Sequence, residues 1–139
     1  QAKDIDSAKK WQGRNDKELR ILYLTASISY ANVHEQDDQM ASINALKAVS
    51  ELKNYTSPSY ESSVRQNALE SFLALYPENT EVLKNLVNAT THHKWQFTKY
   101  ARDKIRALIK DEKYYNQFEN LLPSLPDNEQ FQLKRLLTK

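Results

Sequence analysis

The chain has 139 residues, with 20 Lys or Arg against 18 Asp or Glu, a formal net charge of +2 and 40% hydrophobic residues. That is the balance of one globular domain able to bury a core, and so small a net charge gives no bulk attraction to polyanions. With no cysteine and one glycine, Gly13, thiol chemistry and disulfides are excluded, and Rossmann or P-loop nucleotide sites nearly so, because their backbones need glycine beside the phosphate.

The first predicted element is a short helix, capped by Asp6 or Ser7, running through Trp11 and ended by Gly13. Asp16 opens a longer helix with two apolar stripes, one of Leu19, Leu22, Ala26 and Tyr30 and one of Ile21, Leu24, Ile28 and Ala31. So wide an apolar surface predicts burial on more than one side. The polar run from His34 to Asp38 is a connector, with Asp38 able to cap the third helix, whose stripe is Met40, Ile43, Leu46, Val49 and Leu52.

Asn54 to Ser59, with Pro58 inside, breaks that helix. A fourth starts at Ser59 or Tyr60, faces inward with Val64, Ala68, Leu69, Phe72, Leu75 and Tyr76, and stops at Pro77. Asn79 or Thr80 caps a fifth, carrying Val82, Leu83, Leu86 and Val87. The sixth spans Lys94 to Lys110 with Phe97, Ala101, Ile105, Leu108 and Ile109 inward, and the seventh runs from about Glu112 to Leu122, before Pro123. Asp127 with Gln130 forms a capping box for the last, which leads Phe131, Leu133, Leu136 and Leu137. No window alternates like a strand. The fold class is all-α, with about 7–8 helices.

Two segments share a pattern at a constant offset of 33: Val64, Ala68, Phe72, Leu75 and Tyr76 match Phe97, Ala101, Ile105, Leu108 and Ile109. A small alanine between larger residues lets a neighbouring helix approach closely. Each segment follows a shorter apolar helix, so a helical hairpin is the expected unit, repeating over 38–76, 79–110 and 112–139, with 1–35 a partial first repeat. Stacked hairpins of this kind bury a continuous core as a short α-solenoid. The chain begins at Gln1 rather than methionine, and a fragment of a larger protein, folded as a single helical-repeat domain, is the expectation.

The string Ser63-Val64-Arg65-Gln66-Asn67-Ala68-Leu69 resembles the inner-helix signature of HEAT repeats, and Thr98-Lys99-Tyr100-Ala101-Arg102 is a looser version. The stretch from Trp95 through Ala101-Arg102, Tyr114-Tyr115 and Leu121-Leu122-Pro123 to Leu133 is similar to the C-terminal helical region of bacterial zinc aminopeptidases of the aminopeptidase N family. That resemblance implies a parent enzyme that removes N-terminal amino acids with zinc, and a helical domain that packs on the catalytic domain and restricts access to its chamber. The family's His-Glu-x-x-His zinc motif is absent from these residues, so no catalytic, cofactor or metal residue carries over, and any zinc belongs to the parent. The expected function is therefore non-catalytic, with the rest of the parent polypeptide or another protein as partner.

Other chemistry is weaker. His92 and His93 are adjacent, so on a helix their side chains diverge by about 100° and cannot share a metal from one face. No pair among the 18 carboxylates is singled out for acid–base work. The most tempting surface is Lys94 to Lys113, where seven basic residues stand against three acidic ones, a net of +4. Lys94, Trp95, Lys99, Arg102, Arg106, Tyr114 and Tyr115 are its candidate contact residues. Nucleic acid could bind a basic inner surface of a HEAT-like protein in this way. The interleaved acids and the chain's low net charge favour a solvated helix face instead. No run approaches the roughly 20 apolar residues of a membrane span.

Overall fold

Proline and capping residues end most helices where the sequence places them. The computed structural model describes the backbone of residues 2–34 and 39–138, and the side chains of residues 16–34, 40 and 43–138. In chain order the elements are α1 (Ala2–His34), α2 (Gln39–Tyr55), α3 (Ser62–Leu75), α4 (Thr80–Ala89), α5 (Trp95–Leu108), α6 (Glu112–Leu121), a 3-10 turn (Leu122–Ser124) and α7 (Asp127–Leu137). Among the described residues there is no strand, so the protein is all-helical. No helix among them is long and apolar enough to cross a membrane.

One predicted break is absent. The two helices expected on either side of Gly13 are a single helix of 33 residues. Glycine ends a helix by taking positive φ, and no described glycine does so here. The flanking Gln12, Arg14, Lys17 and Glu18 are good helix formers, so Gly13 costs about 1 kcal/mol against alanine without stopping the helix. The cap expected at Asp6 or Ser7 is absent too, because both residues lie inside α1, and the cap expected at Asp38 lies outside the described residues.

Contacts divide the chain into two compact units, residues 1–75 and 76–139. In the first, α1 packs along α2 and on α3, and α2 packs on α3. Its core is Ile21, Leu24, Ile28 and Ala31 of α1, Ala48 and Leu52 of α2, and Val64, Ala68, Leu69, Phe72 and Leu73 of α3. Buried with them is Arg65, whose Nε donates to the Thr56 carbonyl at 3.1 Å and so ties the start of α3 to the turn after α2.

In the second unit α4 packs on α5 and α7, and α7 also meets α5 and α6. Val82, Leu83, Leu86, Val87, Phe97, Ala101, Ile105, Phe118, Leu121, Leu133, Leu136 and Leu137 are buried together. Asn79 caps α4 as expected, its Oδ1 accepting from the Val82 amide at 3.1 Å. The capping box expected for α7 does not form. Pro126 occupies the cap position with no side-chain bond, Asp127 is already helical, and the Gln130 side-chain amide donates to the Leu125 carbonyl at 2.9 Å instead. Asp127 still complements the positive end of the helix dipole. Phe131 is 59% exposed and lies under the Arg135 guanidinium.

Candidate interaction surfaces

Unit one carries the larger surface, and it stands where the sequence predicts a second buried side. On α1 the stripe of Ile21, Leu24, Ile28 and Ala31 is buried, but Leu22 is 63% exposed, Val33 is 77% exposed, and Leu19, Tyr23, Ala26 and Tyr30 are exposed as well. At about 100° per residue the second stripe lies opposite the first. The same correction applies to α2. Ala48 and Leu52 face the core, Val49 is half-buried, and Met40, Ile43 and Leu46 point to solvent, Leu46 at 74% exposure. A two-helix partner covers only one side of each helix, so a stripe wide enough for two neighbours keeps half its width uncovered.

Polar contacts pin this hairpin at one level. Arg20 Nε and Nη2 donate to both oxygens of Glu51, at 2.7 and 2.8 Å, and the Tyr55 hydroxyl donates to the same carboxylate at 2.9 Å. The arginine hydrogen bond, helped by the tyrosine, holds the Glu51 carboxyl below the usual carboxylate range against partial burial, and Arg20 binds its own proton more tightly. Burial, then the bond to Glu51, pushes the Tyr55 hydroxyl up. Arg20 also lies over the Tyr23 ring, with the guanidinium 5.3 Å from its centre. The bidentate geometry sets register, while an exposed pair adds little stability.

On its other side α1 meets α3 along a shallow, open, polar groove lined by Glu18, Ser63, Gln66, Asn67 and Glu70. It encloses nothing that could exclude water from a reaction. Among the described residues no three His, Asp or Glu side chains converge to hold a metal ion.

Unit two carries the basic cluster, and the structure separates its members. Trp95, Lys99, Arg102 and Arg106 fall on one side of α5, at helical spacings of four, three and four. Trp95 is 66% exposed, and Lys94 stands just before it at the cap position. Asp103 takes up much of the charge: it accepts from Lys99 at 2.7 Å and pairs with Arg106 at 3.6 Å. Lys99 accordingly holds the Asp103 carboxyl below its ordinary value. Lys113 is paired with Glu78, which raises its ammonium.

Tyr114 and Tyr115 do not join the α5 stripe. Tyr114 sits beneath Lys113, and the half-buried Tyr115 donates to the Leu137 carbonyl at 3.1 Å, fastening α6 to α7. Burial first, and Glu119 second, push the Tyr115 hydroxyl up. His92 and His93 lie in the turn before α5 with stacked rings 4.3 Å apart, and the Lys94 amide donates to His92 Nδ1.

Sequence reasoning missed the outer face of α1 and α2 as a surface, although most of its residues lie on stripes that their spacing marks as apolar. The signal is the width of the stripe. Comparison with models of protein families, with curated proteins and with solved structures returns no match to this chain.

Proposed function

We propose that this chain is a non-catalytic helical module that works by presenting a protein-docking surface, the outer face of α1 and α2. The observation that carries this reading is the placement of eight large apolar side chains, Leu19 to Val33 on α1 and Met40 to Leu46 on α2, in solvent rather than in the core. So many large apolar side chains exposed on two packed helices are uncommon on soluble proteins unless another surface covers them. The α5 stripe supports docking less well, because Asp103 neutralises part of it.

Within that class, the likeness of Trp95 to Leu133 to aminopeptidase C-terminal regions supports a narrower reading. The module would be the accessory helical domain of a zinc aminopeptidase, packed on the catalytic domain and limiting access to it. A stack of HEAT-like hairpins agrees with the repeated alanine pattern, since Ala68 and Ala101 are both fully buried. The parent reading frame tests the narrower reading. A His-Glu-x-x-His motif several hundred residues upstream supports it, and a frame without one removes it.

The broader reading is tested by charging the face. Leu22→Lys with Leu46→Lys should leave unfolding within about 0.5 kcal/mol of wild type at low micromolar concentration, because surface changes away from special features cost little. Binding of a fluorescent dye for exposed apolar surface should fall. A loss of several kcal/mol would mean that these residues are packed inside the folded chain, and the docking reading would fail.

A further inference from the structure

We propose that the partner of this face is a second copy of the chain, docked antiparallel about a two-fold axis lying across α1 and α2. The proposal deepens the reading above and rests on it.

Three observations favour a second copy. The first is symmetry of the pattern. On α1 the exposed stripe is centred on the small Ala26, with Leu19 and Val33 seven residues to either side, and Leu22 and Tyr30 four residues to either side. On α2 it is centred on Ile43, with Met40 and Leu46 three residues to either side. An antiparallel copy therefore meets Leu19 with Val33, Leu22 with Tyr30, Tyr23 with Ser29, Met40 with Leu46, and Ala26 and Ile43 with themselves. A closed two-fold interface demands that self-complementarity of a surface patch.

The second observation is that both centres lie at one level of the hairpin. The Arg20–Glu51 pair sets the register of the antiparallel helices. With equal rise per residue, Ala26 then stands level with Ala45, about 3 Å along the axis from Ile43. One axis midway between the two centres serves both helices, with each matched pair about 3 Å out of level. Ala26 at that axis leaves room for α1 to approach its mate closely.

The third is area. Eight exposed large apolar side chains, each offering on the order of 100 Å², supply about 800 Å² per copy, which is what each partner contributes to a stable interface. Among the described residues of α2, Lys47 is the exposed charged one. Its long stem can lie on the apolar surface with the ammonium at the rim.

Sedimentation of the full chain from about 1 to 200 µM tests the proposal, since self-association must follow mass action. Wild type should pass from one chain mass to two, with a melting temperature that rises over the same range. Leu22→Lys with Ile43→Lys should stay monomeric, and should melt like wild type at the dilute end. Single-cysteine variants then read the geometry with a short bifunctional maleimide. Ile43→Cys should cross-link to itself. Leu19→Cys should not, because the matching residue lies about 21 Å along the axis.

A chain that is monomeric throughout overturns the second copy but leaves the docking face standing if the charged variants melt normally. Destabilised charged variants at the dilute end sink the docking face too. A dimer in which Leu19→Cys cross-links as readily as Ile43→Cys runs parallel and overturns the proposed arrangement.

Discussion

Ala68 and Ala101 are fully buried, one in each unit, at matching positions of α3 and α5. Replacing either by leucine adds three carbons at a helix contact. If space existed, the added surface would stabilise by about 0.8 kcal/mol per carbon, roughly 2.4 kcal/mol in all. Well-packed cores instead respond to added methylenes with off-rotamer side chains and backbone shifts, for a net loss of about 1–3 kcal/mol. Ala68→Leu and Ala101→Leu should each show a loss of that size in urea unfolding followed by helical circular dichroism, and hydrogen exchange should assign it to the unit carrying the change. Ala74→Leu and Ala107→Leu, on exposed positions of the same helices, are controls expected within about 0.5 kcal/mol of wild type. A gain in stability at position 68 or 101 would show that neither alanine marks a close helix approach.

Arg65→Met keeps the apolar stem but removes the buried donor to the Thr56 carbonyl, and should cost about 1.5–3 kcal/mol in the same unfolding assay. Arg65→Lys should recover only part of this, because an ammonium lacks the planar fork; full recovery would show that charge alone suffices. For Glu51 the folded carboxyl titrates below its free value, so its contribution is complete above the free carboxylate range and is lost as pH falls through the lowered folded value. The stability difference between wild type and Glu51→Gln should therefore be flat at neutral pH, stay under about 1 kcal/mol, and shrink below about pH 4–5. A difference that grows on acidification would contradict the ion pair's role.

Helix periodicity and proline are enough to place nearly every helix, because local spacing reports which side of a helix is apolar. Val82, Leu83, Leu86 and Val87 are all buried as their spacing implies. The failures share a cause. Periodicity says that Leu22, Tyr30 and Leu46 are apolar and on a stripe, but whether a neighbour covers that stripe is decided by tertiary packing. Gly13 and Asp127 fail differently. Each carries a terminus signal, but neighbouring residues carry the helix through Gly13, and Pro126 takes the cap position ahead of Asp127. The α5 cluster is legible as a charged stripe, whereas the turning away of Tyr115 toward Leu137 depends on a contact 22 residues distant in sequence.

The direct test of the outward-facing surface uses the absence of native cysteine. Single-cysteine variants at Leu22, Ile43 and Leu46, and at the buried Ile28 and Leu52, can be timed for maleimide labelling in dilute solution. The first three should react at nearly the rate of a free thiol, and the last two about a hundredfold more slowly, limited by local opening. Protection of Leu22→Cys and Leu46→Cys to the level of Ile28→Cys would contradict the account.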